Sequence, residues 1–349
     1  MHGEYKAPGG KLVAADVEVT GGRFSRVQVS GDFFLEPDDT LERIGAAVTG
    51  LPASADSAAI AAGIRAALGG EVVLAGICPG AVTIAVRRAV LGASDWRDHD
   101  WQLVHEGPQD PALHMAIDEV LLGEVAAGRR PPTLRIWEWS APAAVIGSFQ
   151  SLRNEVDSGQ ASRLGFTVVR RISGGGAMFI EPDNTITYSL YAPESLVAGL
   201  SFAESYAFLD DWVIGTLTQD LGLVAWYQPL NDITSGQGKI GGAAQKRLAS
   251  AVLHHTTMAY DIDAQKMLRV LRTGRETLAG KGIPSAVKHV DPLRRQTCLP
   301  RQQVIAAMTG CFRRRYGLAE GGLTPAELQA ARELARAKFT AGEWTARLP

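Results

Sequence analysis

The sequence predicts an α+β protein with two domains, on two observations. Residues 11–31 alternate between apolar and polar around Gly21-Gly22, and this is a β-hairpin pattern because glycine supplies the positive φ of a tight turn. Two amphipathic helices are predicted next, over 38–48 and about 56–68. From about residue 101, strand-like runs and helices follow one another irregularly, which favours a mixed α+β domain over a strict βαβ repeat.

Composition limits the classes of function. The 349 residues carry a formal net charge of -2, so the chain lacks the basic surplus of a nucleic-acid-binding protein. The three cysteines, Cys78, Cys298 and Cys311, form no CxxC pair, which disfavours a disulfide framework or a cysteine zinc site. No signal peptide is recognisable, and the apolar stretch 72–86 is too short to cross a membrane. We expect a soluble, cytoplasmic protein with no membrane partner.

The two domains are separated by a polar segment. Residues 1–91 are predicted to form a small α+β domain, residues 92–100 a linker, and residues 101–349 the larger mixed domain. Asp110-Pro111 is a good capping pair for the first helix of the larger domain. Its strand-like runs are TLRIWEW, AAVIGSF, FTVVRRI, NTITYSLYA and LHHTTMAYDI, and its amphipathic helices are expected at about 203–221, 300–315 and 324–339.

The most informative stretch is RRISGGGAMF, residues 170–179. Three consecutive glycines allow a ligand to approach the backbone, whose N–H groups can turn toward an anion. Arg170 and Arg171 supply cations suited to a phosphate or a carboxylate. The alternative interpretation is a glycine-rich hairpin with solvated arginines. The segment GRETLAGKG, residues 274–282, does not have P-loop spacing and is interpreted as a loop.

A second candidate segment is NDITSGQGKIGGAAQKR, residues 231–247. Lys239 lies among small residues, so a ligand can pack against its charge, and such a lysine suits the stabilisation of a phosphate or an oxyanion. Asn231 and Asp232 can coordinate a cation or polar ligand groups. The alternative is a β-hairpin that carries an exposed lysine.

Two adjacent histidines, His254 and His255, lie in a predicted strand. Neighbouring strand residues point to opposite faces, so both cannot easily serve one site, and a hydrogen-bonding core histidine is the favoured interpretation. The sequence contains no HExxH spacing and no GxSxG elbow, which disfavours a zinc site and a serine hydrolase of that type.

Several motifs together resemble the lipoate–protein ligases. RRISGGGAMF resembles their RRxSGGG signature, GKIGGAAQ their lysine motif, and DPALHMAIDEVLL their opening helix. LAGKGIPSAVKHV resembles a later family segment, and GEWT resembles the closing strand of the catalytic domain. These motifs cover residues from about 101 to 345 in the family's order. Residues 1–90 resemble the small accessory domain of the same ligases, which here precedes the catalytic domain.

The resemblance implies a role for each motif residue. Lys239 would be the central catalytic lysine, and Arg171 would hold the carboxylate or the phosphate. Asn231 and Asp232 would lie near the phosphate, with Asp232 beside Mg²⁺. The remaining substrate- or nucleotide-binding residues would come from the glycine loop: Ser173, Gly174, Gly175, Gly176, Ala177, Met178 and Phe179.

The implied reaction is an ATP-dependent ligation. ATP and Mg²⁺ would activate lipoate or octanoate as the acyl-adenylate, and a lysine of a carrier protein would then attack the mixed anhydride. The carrier would be the glycine-cleavage H protein, a 2-oxoacid dehydrogenase acyltransferase or a specialised lipoate-binding protein.

Three other functions are alternatives to the ligase interpretation. An octanoyltransferase would take its acyl group from a carrier and need no ATP, and one group uses a cysteine before the lysine motif or in a later loop. YQPLNDITSGQG contains no cysteine, and Cys298 follows the motif by a long interval in QTCLPRQQ, a predicted loop and helix cap. A biotin–protein ligase would carry a GRGRxGR loop, which is absent. A non-catalytic lipoate- or carrier-binding protein would be expected to lose Arg171 or Lys239, and both are present.

Overall fold

The computed structural model describes residues 1–70, 72–272 and 290–348. The chain divides into two compact units. The first contains Met1–Asp98 and Ser195–Phe208, and the second contains His99–Glu194 and Leu209–Pro349. The identification of the N-terminal region as an accessory domain stays a prediction.

The first unit contains the predicted hairpin. Its helices and strands are β1 His2–Lys6, β2 Leu12–Thr20, β3 Arg23–Gly31, β4 Phe34–Glu36, α1 Thr40–Val48, α2 Ser57–Leu68, β5 Val73–Ala75 and α3 Pro79–Leu91. Strands β1, β2 and β3 form an antiparallel sheet, and β4 pairs with β5. Gly21 and Gly22 have φ values of 59° and 75°, so the turn uses the left-handed region that glycine tolerates. Strands β1, β4 and β5 and helix α3 are additions to the predicted elements.

The segment Ser195–Phe208 belongs to the first unit because a buried arginine binds it. The Arg88 guanidinium on α3 donates to the carbonyls of Leu196 at 3.0 Å and Ala198 at 3.2 Å. The Ser94 and Ser195 hydroxyls are 2.8 Å apart. A pairing across about a hundred residues has no signature in the local sequence pattern.

The second unit is built on a mixed sheet, as the sequence predicts. Its strands are β6 Gln102–His105, β7 Thr133–Trp137, β8 Ala143–Ile146, β9 Thr167–Arg170, β10 Met178–Ile180, β11 Thr185–Pro193, β12 Ala225–Gln228, β13 Asp232–Ser235, β14 Gly238–Arg247, β15 Ala251–Ala259 and β16 Ala319–Glu320. Eight of them form one sheet in the order β12-β13-β14-β15-β11-β7-β6-β16. The other three form a small sheet in the order β10-β8-β9.

Helices complete the second unit. They are α4 Pro111–Ala126, α5 Leu152–Glu155, α6 Ser158–Arg163, α7 Phe202–Gly215 (which begins in the first unit), α8 Ala264–Val270, α9 Leu293–Thr297, α10 Arg301–Tyr316, α11 Pro325–Leu334 and α12 Gly342–Thr345. Helix α4 begins as predicted, with the Asp110 carboxylate accepting from the Ala112 N–H at 2.9 Å. Within the described ranges, every helix is too short or too polar to span a lipid bilayer.

One predicted element is wrong. GEWT, expected to be a closing strand, is the short helix α12. The Trp344 indole donates to the Arg170 carbonyl at 2.8 Å, and the Arg170 Nε returns a bond to the Thr345 carbonyl at 3.0 Å. These bonds satisfy backbone groups of a compact turn, where a strand would need a partner strand.

Candidate active site

The second unit contains a cavity of about 480 Å³. Its walls come from the loop after β8, the glycine loop between β9 and β10, strands β14 and β15, and helix α8. Nine predicted site residues line it, namely Arg171, Gly175, Gly176, Ala177, Met178, Phe179, Asn231, Asp232 and Lys239. The fold therefore brings together two motifs that lie about sixty residues apart in the sequence. Ser173 and Gly174 are outside this lining.

Lys239 and Asp232 form an ion pair in the cavity. The Lys239 Nζ lies 2.9 Å from the Asp232 Oδ1, and 29% of the lysine side chain is exposed compared with 7% of the aspartate. Strands β13 and β14 pair beside this point, with a register irregularity between Ile233 and Thr234. The lysine can donate three hydrogen bonds, so its ammonium group can bind a ligand oxygen while it still contacts Asp232.

The glycines of β14 make room for this lysine. A Cβ atom at Gly242 would lie 2.7 Å from the Lys239 Nζ, and one at Gly241 would lie 2.8 Å from the Met258 Cγ. The small residues after Lys239 therefore let the ammonium group fold back against its own strand. This geometry supports the interpretation of Lys239 as a ligand-facing charge over the exposed-hairpin alternative.

Arg171 organises the glycine loop from inside. Its guanidinium donates to the carbonyls of Gly174 and Gly176, the latter at 2.9 Å. Gly175, between them, has a φ of 86°, and a Cβ there would lie 2.9 Å from the Arg171 Nη2. The bound carbonyls hold the loop in a fixed curve. The predicted role of Arg171 as a ligand for the substrate carboxylate or phosphate stays a prediction.

Arg170 serves the framework. Its side chain is fully buried and donates to the Gly147 carbonyl at 2.9 Å and the Gln150 carbonyl at 2.6 Å, besides its bonds to helix α12. Burial lowers the pKa of Arg170 to about 10, assisted by the nearby Arg347 cation. The sequence offered both arginines as anion-binding cations. Arg171, the first residue after β9, is the one of the two that lines the cavity.

The apolar side of the cavity was predicted only in part: Ala177 and Phe179 of the glycine loop were expected to bind the substrate or nucleotide, whereas Ile262, Met267 and Leu271 were missed. Ala177, Phe179, Ile262, Met267 and Leu271 line the cavity and pack with one hydrophobic cluster, and we call these five residues the apolar wall. Three of them come from α8 and its flanks, in the stretch DIDAQKMLRVL. Its apolar residues at helical spacing could have predicted a short amphipathic helix, but nothing local connects it to the glycine loop.

The two adjacent histidines point to opposite faces of β15, as predicted. The His255 Nδ1 lies 2.8 Å from the Asp118 Oδ2, and its Nε2 lies 2.6 Å from the Ser173 Oγ. The His254 Nε2 lies 2.7 Å from the Asp210 Oδ1 on the other face. Only His255 lines the cavity. We call the cavity residues Arg171, Asp232, Lys239 and His255 the polar wall.

Burial decides the charge state of His255. Removal from water lowers the pKa of His255 below its ordinary value of 6.5, and the Arg171 cation acts in the same direction against the attraction of Asp118. The imidazole is therefore neutral near pH 7. Because the Asp118 carboxylate can only accept, the His255 Nδ1 carries the proton and the Nε2 accepts from the Ser173 hydroxyl.

Asn231 and Val290 line the cavity on either side of Lys239 in the sequence. The Asn231 amide donates to the Ala243 carbonyl at 2.6 Å, which fixes the chain before Asp232. The family-like segment, residues 278–290, lies outside the described residues except for Val290. That residue lines the cavity and forms a parallel bridge with Lys239, and the Asp291 N–H donates to the Lys239 carbonyl at 2.9 Å.

The prediction that Asp232 lies beside Mg²⁺ stays a prediction. No group of three or more His, Cys, Asp or Glu side chains within 1–70, 72–272 and 290–348 is placed to hold a metal. Asp232 is the single carboxylate among the described cavity residues, and Lys239 already neutralises it.

The comparison with known families identifies the fold and the site. The profile described as the lipoyl protein ligase A/B catalytic domain matches residues 110–313, which include both motifs and most of the cavity. The chain belongs to this family. It is an enzyme of the lipoate ligase and octanoyltransferase group that acts in protein lipoylation.

The curated relatives correct the predicted reaction. The octanoyltransferase LipM of Moorella thermoacetica is 30% identical over 276 residues, which cover 71% of this chain and 98% of the relative. LipM of Kyrpidia tusciae is 30% identical with the same coverage. The prediction of an ATP-dependent, AMP-forming lipoate ligase is therefore wrong. The motifs misled because a cationic loop and a lysine stabilise charge at an acyl carbonyl whether that acyl group is held by a phosphate or by a carrier.

Solved structures confirm the fold alone. A Thermoplasma acidophilum protein described as a lipoate protein ligase, solved with bound lipoic acid, has a TM-score of 0.60 and 23% identity, covering 71% of this chain and 99% of that one. A lipoate-protein ligase A bound with ATP also has a TM-score of 0.60 and 23% identity, covering 72% of this chain and 99% of that one. The mixed α+β architecture is thus the expected one.

Proposed function

We propose that this protein transfers a medium-chain acyl group, octanoyl in the first instance, from a carrier-bound thioester to a lysine of a lipoyl carrier domain, without ATP. The observation that carries the proposal is the cavity, whose apolar wall adjoins the Lys239–Asp232 pair, in a chain related to octanoyltransferases over 71% of its length. The H protein and acyltransferase domains are acceptors of suitable chemistry, since each presents one lysine.

The apolar wall supplies binding and the polar wall supplies charge. Each methylene buried against Phe179, Met267 or Leu271 contributes ~0.8 kcal/mol, so the tail holds the acyl group while its carbonyl reaches Lys239. The acceptor lysine attacks as a neutral amine, forming a C–N bond and placing negative charge on the carbonyl oxygen. The Lys239 ammonium group, with loop N–H groups, would stabilise that oxyanion.

The products form when the tetrahedral intermediate collapses. The C–S bond breaks, the donor carrier's sulfur leaves with the electron pair, and the thiolate takes up the proton that the attacking nitrogen loses. The step therefore releases one free carrier thiol for each amide formed, and no oxidant, reductant or nucleotide is needed for this balance.

We infer direct transfer between the two carriers because the cavity supplies no cysteine nucleophile. The sequence contains three cysteines, and none of them is among the described cavity residues. Cys78 belongs to the first unit, Cys298 ends helix α9, and the buried Cys311 lies 3.7 Å from the Trp212 carbonyl. A thioester-linked enzyme intermediate would need one of these groups at the acyl carbonyl.

The decisive assay mixes purified protein, an octanoyl-carrier thioester and an unmodified lipoyl domain, with ATP absent. We expect the domain to gain the mass of one octanoyl group. Product that forms only from free octanoate and ATP would overturn the proposal.

Direct transfer between the two carriers can be tested with a variant that lacks all three cysteines. With Cys78, Cys298 and Cys311 all changed to Ala, we expect the rate to stay within about threefold, since no bond to sulfur of this chain is made. A dead but folded triple variant, or octanoyl trapped on Cys298, would contradict direct transfer while leaving the transferase assignment intact.

A further inference from the structure

A chain of hydrogen bonds connects the glycine loop with strand β15 and helix α4. The sequence motifs do not predict this connection. The Arg171 Nε lies 3.0 Å from the Ser173 Oγ, which lies 2.6 Å from the His255 Nε2. The His255 Nδ1 then lies 2.8 Å from the Asp118 Oδ2. The four groups come from the glycine loop, strand β15 and helix α4, and all of them are nearly inaccessible to water.

The direction of donation in this chain is determined at its far end. Asp118 accepts at Oδ1 from the Ser189 hydroxyl at 3.0 Å and from the Tyr191 hydroxyl, and the Arg135 Nη1 lies 3.5 Å from the same oxygen, so this carboxylate is an ionised acceptor toward His255. It therefore holds the proton of His255 on Nδ1. The Nε2 is left as an acceptor, and the Ser173 hydroxyl points its proton there and offers its lone pairs to Arg171.

The consequence reaches the cavity through Arg171. That guanidinium binds Ser173 through Nε and uses Nη2 for the carbonyls of Gly174 and Gly176. Reversal of the histidine tautomer would direct a second N–H at the Ser173 oxygen and compete with Arg171 for it. The tautomer of one buried imidazole thus affects one of the bonds that hold Arg171, whose Nε also reaches the Gly174 carbonyl at 3.1 Å and whose Nη1 reaches the Val145 carbonyl at 3.4 Å.

We propose that Asp118, His255 and Ser173 form a positioning relay that fixes Arg171 and the glycine loop for acyl transfer. The proposal rests on the transferase function above for its kinetic readout. Ser173 acts here through Arg171 and not as a nucleophile, because the residue is 1% exposed, is outside the cavity lining, and has its hydroxyl bonded to Arg171 and His255.

The chain offers a matched control on the opposite face of the same strand. His254 is fully buried and lies 2.7 Å from Asp210 and 3.2 Å from Gln245, but it does not line the cavity. His254→Gln should therefore disturb a buried histidine–aspartate pair and its stability without disturbing the glycine loop.

The first experiment measures transfer kinetics of Ser173→Ala, Asp118→Asn and His254→Gln, together with their unfolding curves. We expect Ser173→Ala and Asp118→Asn to lower kcat about 10- to 100-fold, because each weakens the Ser173 bond that helps to position Arg171, and His254→Gln to stay near wild type. Ser173→Thr retains the hydroxyl and should recover most of the rate. Wild-type kcat and KM in folded Ser173→Ala, or an octanoyl ester found on Ser173, would overturn the relay.

The second experiment does not depend on activity. Nitrogen-15 NMR of histidine-labelled full-length protein reports which ring nitrogen carries the proton. We expect His255 to be protonated at Nδ1 in wild type and at Nε2 in Asp118→Asn. An Nε2–H form in wild type would overturn the relay even if transfer is observed. Absence of any transfer, with the Nδ1–H form present, would defeat the proposed function and leave the relay standing.

Discussion

The polar and apolar walls of the cavity differ in how the chain builds them. The polar wall depends on single atoms held by specific partners, such as the Lys239 Nζ at 2.9 Å from Asp232 and the His255 ring between Asp118 and Ser173. The apolar wall is the cavity-facing side of a hydrophobic cluster, where we expect apolar replacements of similar volume to be tolerated. Substitutions in the polar wall should therefore cause large losses of transfer rate, whereas substitutions in the apolar wall should change the preference for acyl chain length by smaller amounts.

The largest effect should come from Lys239→Ala. Loss of the ammonium group removes a donor from the developing oxyanion, and we expect transfer to fall by about 10²- to 10³-fold or more, as for other oxyanion donors. Initial rates of amide formation on the lipoyl domain measure this change.

Lys246→Ala is the control for that substitution, since Lys246 is exposed at the other end of the same strand β14. Its rate should match wild type. Equal rates for both variants, with unchanged circular dichroism spectra, would remove Lys239 from the mechanism.

A smaller effect is expected on the apolar wall with Met267→Ala. Removal of its thioether chain exposes part of the acyl tail, and the loss of about 1–2 kcal/mol of contact should raise KM for the octanoyl donor about 5- to 30-fold with little change in kcat. A butyryl donor, which has fewer methylenes to bury against Met267, should be affected less. Leu268→Ala, next in sequence but outside the cavity lining, provides the control. An equal penalty for both donors would show that Met267 does not contact the tail.

The smallest effect concerns stability. The unfolded chain protonates His255 near pH 6.5, whereas the folded chain resists protonation because burial lowers the pKa of that histidine. The free energy of unfolding should therefore decrease as the pH falls below about 6.5, by at most ~1.4 kcal/mol per pH unit for this group.

Urea unfolding at pH ~7.5 and ~5.5 measures that decrease. His255→Gln should lose less stability than wild type between the two values. The residual loss reports other groups such as His114, whose pKa burial also lowers well below 6.5. An identical loss in variant and wild type would mean that His255 is protonated in the folded protein as easily as in the unfolded one.

The sequence predicted the polar wall far better than the apolar one. The glycine loop and Lys239 are recognisable because each needs a rare local composition, small residues next to a cation. Met267 and Leu271 carry no such mark, since an apolar residue on a short helix packs against whatever the fold places beside it. Asp118 is 137 residues from His255, so their pairing could not be read from any local pattern.

The chemical class of the acyl donor was also beyond the motifs. The predicted roles of Arg171 and Lys239 are the same in either reaction, and neither residue reports the group that leaves. The positions of the three cysteines are evident in the sequence, but they bear on whether an acyl-enzyme intermediate forms and not on the chemical class of the donor. Relatives covering most of the chain were needed to correct the reaction.

Gly147, in the turn after β8, makes one further demand on the chain. A Cβ atom there would lie 2.2 Å from the Gly175 carbonyl oxygen, backbone against backbone, with no flexible side chain able to yield. In a library that samples every amino acid at each position, Gly147 should consequently accept no replacement, although it carries no reactive group. In such a library, Gly147 should tolerate as few substitutions as Lys239, although only Lys239 carries a reactive group.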